Sequence, residues 1–290
     1  MSSTIPAWVA TFAAEHRAGC AGSTPGAVSL TDSAARRRAL GAATNGEVLS
    51  LARELSLGED PDDPDGFLQV RWRDNGAISI SSDELRIMPH GLATTHLDAV
   101  SHFHVDGELF GGGNADTLSV AQWAGGILTR AVFLDIAQVR GTAFIDPMAP
   151  VNAADLDAAL ELAGTGVEPG DALLVYMGRD EYEAAGHSVL PLSSCPPGRP
   201  GIGEDGARWI SRQPVSVLCW DFVDAYAGGD RVAYVHLLIW AMGLALVDNC
   251  DLHAVRGAMS DRVVKTGMLV VAPLRIPRAT ASPVNPMLVT

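Results

Sequence analysis

A chain of 290 residues, 48% hydrophobic and 19% charged, is long enough to bury a large core and too rich in apolar residues for a disordered chain or a coiled coil. The formal net charge of -14 and a pI near 4.8 disfavour a surface that neutralises phosphates or anionic lipid, so neither nucleic acid nor membrane is an expected partner.

Taken in chain order, "IPAWVATFAAEH", "DSAARRRALGAA" with Asp32 as its cap, and "GEVLSLARELSL" read as helices, a helical N-terminal region of about residues 1–57. "EDPDDPDG" reads as a solvated turn region, because Asp-Pro and Asp-Gly steps disfavour both helix and strand. "FLQVRW" and "AISISS" are β-like, and "TRAVFLDI" is a buried strand. "NAADLDAALELAG" is a helix with Asn152 as cap, Asp155 at the capping-box position and Gly164 near its stop. "GDALLVYMG" and "VSVLCWDF" are strands on either side of the helix "EDGARWISRQ". "YVHLLIWAMGLAL" fits a mostly buried helix and "GMLVVAPLRI" a late strand. The expectation is an α/β fold, a single domain over 1–290 with a mixed β-sheet core and surrounding helices.

The opening has no basic leader, and the longest apolar run is shorter than a membrane span and contains His236, so a soluble cytoplasmic protein is expected. Cys20, Cys195, Cys219 and Cys250 have no paired CxxC spacing and are expected to be reduced and mostly buried.

The segment "HGLATTHLDAVSHFHVDG", residues 90–107, holds four of the eight histidines and two aspartates. If His96 to Asp98 is extended, both side chains lie on one face and converge, an arrangement that suits a divalent ion with mixed nitrogen and oxygen ligands, zinc or manganese. Such an ion acidifies water, and a nearby imidazole such as His102 can move the proton. An HxD pair alone is a common chance occurrence, and the alternative is a set of hydrogen-bonded structural histidines. His104 reads as a structural or rim residue. "MGRDEYE" is a strand-end ligand loop or a solvated charged turn, and Asp221 a supporting acid or a strand-end hydrogen-bonding group. "GGGN" is a flexible turn, and Ser101 beside His102 does not make a triad.

"TTHLDAVSHFHVDGELFGGG" resembles the signature H-x-G-T-H-x-D-x-P-x-H of the bacterial cyclase family, which includes kynurenine formamidase and isatin hydrolase; the flanking "HG" and "DG" are most similar to its longer branch. "GDALLVYMG" and "YVHLLIWAMGLALVDNCDL" are similar to a strand and a late helix of that family. The resemblance implies a cyclase-family mixed sheet, a homo-oligomer, and a metal-dependent hydrolase of a small amide, lactone or cyclic carbonyl substrate. It makes His96 and Asp98 metal ligands, His102 the acid/base histidine, and His236 and Asp248 remote contributors. A capping role at the end of the late helix is the other reading of Asp248. The family's first histidine falls on Leu92, its glycine on Thr94 and its proline on Val100. His90 substitutes for the missing ligand if the strand is bulged. The loss at Leu92 also leaves open a ring-forming or dehydrating cyclase that uses the same pocket without metal. A non-catalytic binding protein on this fold is disfavoured, since a pure binder has no need of buried titratable groups.

Overall fold

The structure is a computed structural model describing residues 5–20, 26–55, 57–58, 66–189, 198–227 and 232–290. Its strands, in chain order, begin with β1 (Val48–Ser50), β2 (Gly66–Asn75), β3 (Ile78–Ile87), β4 (His96–Asp98), β5 (Ile127–Asp135) and β6 (Ala172–Tyr176). Four short strands surround β9: β7 (Gly198–Arg199) and β8 (Gly201–Ile202) before it, β10 (Val223–Asp224) and β11 (Tyr226–Ala227) after it. With β9 (Val217–Trp220), β12 (Ala245–Asp248), β13 (Thr266–Val271), β14 (Ala281–Pro283) and β15 (Met287–Val289) the set is complete for the described residues. The helices are α1 (Ala7–Cys20), α2 (Ser33–Ala42), α3 (Ile136–Arg140), α4 (Ala153–Ala163), α5 (Arg179–Ala184), α6 (Glu204–Ser211), α7 (Leu237–Met242) and α8 (His253–Met259).

Nine strands form one mixed sheet in the order β1-β15-β13-β5-β6-β9-β12-β4-β14. Its centre, β5-β6-β9-β12, is parallel and its flanks are antiparallel. The central strands are covered on both faces, which is why "ALLVY" and "VLCW" are apolar without alternation and fully buried. This is the mixed α/β architecture expected from the alternating strand and helix patterns.

Local chemistry accounts for the helix ends. Asp32 caps α2 by accepting from the amides of Ala34 and Ala35 at 2.8 and 2.9 Å. Asn152 and Asp155 form the expected capping box on α4, and Gly164 ends that helix with a left-handed backbone.

Two elements differ from expectation. "GEVLSLARELSL" is not helical: Val48–Ser50 pairs with β15 at the sheet edge. The expected long helix at "YVHLLIWAMGLAL" is one short helix, α7, stopped by Gly243 at φ +68, after which the chain enters β12. Asp248 is therefore the last residue of a strand and caps no helix. Cys219 and Cys250 are buried and unbridged, whereas Cys195 and residues 59–65 of the Asp-Pro segment lie outside the described residues.

The stop at Gly243 is also a close approach. A Cβ there would sit 2.6 Å from the Gly26 Cα, besides demanding a left-handed backbone of a side-chain-bearing residue. Gly41, in contrast, is exposed on α2 with nothing around it. Gly243→Ala is expected to lower stability by about 2 kcal/mol or more, and Gly41→Ala to raise it by about 0.5 kcal/mol. Denaturant titration of the two variants checks both signs.

Candidate metal and catalytic site

Register creates the site. His96 and Asp98 share one face of β4, because side chains alternate along a strand. Antiparallel pairing sets Asp248 of β12 directly opposite His96, so their side chains lie on the same face. Asp248 ends a parallel strand, and His236, at the start of α7, comes to the same point. The cluster thus lies at the carboxyl end of β9 and β12, where open α/β sheets place their ligands.

Asp98 is the centre. Its Oδ1 lies 3.2 Å from His90 Nδ1 and 3.5 Å from His96 Nε2. Its Oδ2 lies 3.6 Å from His236 Nε2 and 3.8 Å from His102 Nε2. The residue is fully buried, yet neither oxygen has a hydrogen-bond partner among the described residues. Two triads of candidate ligands share it: His96 with Asp248, and His90 with His102, each set having its donor atoms within 4.8 Å of one another.

The surroundings orient these donors. His96 Nδ1 donates to the Thr94 carbonyl at 2.8 Å, which leaves the Nε2 lone pair facing the cluster. His236 Nδ1 bonds Asp224 Oδ2 at 2.5 Å, and Asp224 Oδ1 accepts from the Val235 amide at 2.6 Å. Asp248 accepts from the Trp220 indole at 2.5 Å and lies 3.2 Å from His236 Nε2. Burial opposes charge on His236, but the Asp248 and Asp224 carboxylates outweigh it and hold the imidazole well above its usual value. Burial likewise opposes ionisation of Asp248; the charge on His236 overcomes it and holds that carboxyl below its usual range. His102 goes the other way: burial, helped by His90 and His236 and resisted by Asp98, lowers it to about 4.

His90 arrives by a different route from the bulged strand expected of it. Residues 90–94 form a bend, and Gly91 at φ +134 turns the chain so that the His90 ring stacks on His102 with centroids 4.0 Å apart. Leu92, at the position of the family's first histidine, is buried and lines the cleft.

The bend is clamped from behind. Arg179 donates to the Leu92 carbonyl at 2.5 Å and to Asn249 Oδ1 at 2.8 Å, while Asn249 Nδ2 donates to the carbonyls of Gly91 and Thr94 at 2.8 and 3.0 Å. Arg179 is therefore buried, and "MGRDEYE" is not a solvated turn. Asp221 accepts from the amides of Met177, Gly178 and Arg179, the strand-end role read as one of its alternatives. His104 is exposed, consistent with a rim residue, and Asn114 of "GGGN" makes its own turn by accepting from the amides of Asp116 and Thr117.

All six sequence-predicted residues, His90, His96, Asp98, His102, His236 and Asp248, are therefore gathered in one place. Asp224, Thr280 and the Arg179–Asn249 clamp have roles that the sequence does not point to. Thr280, 3.0 Å from His90 Nε2, and Asp224 had no local signal: each reaches the site through sheet topology.

The chain matches the family model "Cyclase: Putative cyclase" over residues 2–225. Among solved structures it is similar to a novel cyclase, with TM-score 0.79 at 21% identity over 93% of this chain and 95% of that one. It is also similar to an isatin hydrolase bound to the product analogue thioisatinate, with TM-score 0.58 at 18% identity over 89% and 99% of the two chains. A predicted metal-dependent hydrolase from Bacillus stearothermophilus gives TM-score 0.52 at 14% identity over 83% and 97%. No curated protein gives a match. At such identities the structural likeness carries the fold, whereas the family model covers well over half of the sequence, and the chain belongs to the cyclase family.

Proposed function

We propose that this protein is a metal-dependent hydrolase that opens a small amide, lactone or related cyclic carbonyl compound, a class to which the substrate of an isatin hydrolase belongs. The observation that carries this reading is the Asp98 carboxylate, fully buried with neither oxygen hydrogen-bonded and ringed by imidazoles. A buried carboxylate without partners costs several kcal/mol, roughly, unless a cation satisfies it. His96 through Nε2, Asp98 and Asp248 are the donors for a zinc or manganese ion, with His236 and His90 at its flanks. When bound, such an ion supplies Lewis acidity toward a carbonyl and acidifies water. His102 is the proton-transfer group in this reading: burial lowers it to about 4, so it is neutral at pH 7, and its Nε2 lies 3.8 Å from Asp98 Oδ2. Asp224 and Thr94 fix the ring orientations of His236 and His96, and Phe103 helps to close the cleft.

One observation favours a second reading. Leu92 puts an apolar wall where the family has a ligand, and His236, charged among Asp98, Asp224 and Asp248, compensates those carboxylates without an ion. A ring-forming or dehydrating enzyme would use that arrangement to move protons without delivering water.

The partner in either case is a small molecule, in keeping with a cleft of about 170 Å³. A second copy of the chain completes the proposal. Among the described residues the β2–β3 ribbon joins no other sheet, and it exposes Val70, Trp72, Ile78 and Ile80, with Trp72 75% exposed. An isolated two-stranded ribbon is marginal in water, so a homo-oligomer that covers it is the economical arrangement. The unbridged Cys219 and Cys250 suit a cytoplasmic setting.

Metal analysis of the purified protein is expected to find a stoichiometric divalent ion, absent from His96→Ala and retained in His102→Ala. With a small cyclic amide or lactone that the wild type opens as test substrate, His102→Ala should lose roughly a hundredfold to ten-thousandfold in turnover. Persistence of wild-type turnover after complete chelation would sink the metal-dependent reading.

Leu92→His is expected to tighten metal retention during dialysis against a chelator. No change, or weaker retention, would mean that the ion is not held on the Leu92 side of Asp98.

Light scattering at micromolar concentration is expected to give an oligomer, and Trp72→Glu to shift it toward monomer. A wild-type monomer removes the assembly and leaves the fold untouched.

A further inference from the structure

Besides Asp98 and His90, Arg199 has a buried polar atom without a hydrogen-bond partner among the described residues. It is only 3% exposed. Its Nε and Nη2 both donate to the Asp224 carbonyl, at 3.1 and 2.7 Å, while Nη1 is buried with no hydrogen-bond partner among the described residues. The guanidinium is held in place: β7 pairs Arg199 with Tyr226 of β11, and its Cζ lies 4.1 Å from the centre of the Tyr226 ring. Arg199 and Tyr226 line the same cleft as His96, His102, His236 and Leu92.

The hydrogen bonds that Arg199 makes go to a neutral carbonyl, so they leave its charge without an anion. Both side-chain oxygens of Asp224 are already engaged, by Val235 and His236. A buried guanidinium with a free nitrogen is costly unless an acceptor arrives, and an anionic oxygen is the acceptor that gains most. Fixed by its stack and its two bonds, the side chain loses little further freedom when that acceptor binds.

We propose that Arg199 is the recognition group for a carboxylate carried by the substrate, separate from the carbonyl at which the Asp98 cluster acts. This rests on reading the cleft as the substrate site. A carboxylate fits better than a phosphate, because the single free nitrogen satisfies one or two anionic oxygens and leaves a phosphate's others buried without donors. The substrate class narrows to small carbonyl compounds with an acidic substituent.

The test is equilibrium binding of benzoate and of its neutral counterpart benzamide to the purified protein, before and after chelation, with inorganic phosphate as a third probe. Benzoate should bind about tenfold or more tightly than benzamide, the worth of one charge-assisted hydrogen bond, and should keep that preference after chelation. Arg199→Gln should abolish the preference by weakening benzoate alone, with metal content unchanged, and Arg199→Lys should restore part of it. A purely structural arginine would leave the ratio of the two probes unmoved. Equal binding of benzoate and benzamide to the wild type, a preference that vanishes with the metal, phosphate binding in place of benzoate, or an Arg199→Gln protein that still prefers benzoate would each overturn the inference. If Arg199→Gln does not fold, the wild-type and Arg199→Lys ratios decide. A benzoate preference that depends on Arg199 in a protein holding no metal would uphold this inference while the hydrolase reading fails.

Discussion

A fully buried carboxylate with neither oxygen hydrogen-bonded among the described residues is the constraint on which the site depends. Asp98 lies on β4 between β12 and β14, and its backbone is tied into both ladders. Its side chain cannot turn to solvent without breaking that pairing. Protonation, a cation or surrounding imidazoles must therefore compensate it. The chain supplies imidazoles from three directions: His96 from the same strand, His90 and His102 from the segments that flank it, and His236 from α7. Each is oriented by a bond on its far side or by stacking, so the convergence is built into the fold and needs no ligand to assemble it.

The clamp behind residues 90–94 holds the bend that carries His90 and Leu92. A bend with Gly91 at φ +134 and carbonyls turned inward would bury unsatisfied acceptors. Arg179 and Asn249 satisfy those of Gly91, Leu92 and Thr94 at once. Asn249 itself has a left-handed backbone, φ +56, which asparagine tolerates better than most residues. The bend is thus held by its backbone, and Leu92 forms part of the cleft wall. His90 enters the cluster from the other side of the same bend.

How far the sequence could be read follows from the range of each signal. His96 and Asp98 were legible because a period of two is local. The Asn152–Asp155 capping box was legible for the same reason. The late apolar segment was misread because a buried helix and a buried parallel strand both appear as unbroken hydrophobic runs, and only the left-handed turn at Gly243 separates them. "GEVLSLARELSL" carries helix-favouring residues, yet edge pairing with β15 overrides that preference. Convergence of His236 and Asp248 on His96 came through family resemblance. Asp224 and Arg199 lie among two-residue strands whose pairing is set by the fold, and no local pattern marks them.

The site's electrostatics bear on which reaction such a fold carries out. Asp248 and Asp224 hold His236 strongly basic, with Asp98 Oδ2 3.6 Å from its Nε2, and Arg199 donates to the Asp224 carbonyl. Under the metal-dependent reading proposed above, a divalent ion would add two positive charges to this carboxylate cluster. Without the ion, His236 compensates the carboxylates alone and His102, neutral because it is buried, remains a proton acceptor beside them. Under the two readings proposed above, the same residues would serve water delivery with an ion and proton shuttling without one, so occupancy at Asp98 is what distinguishes the two proposals.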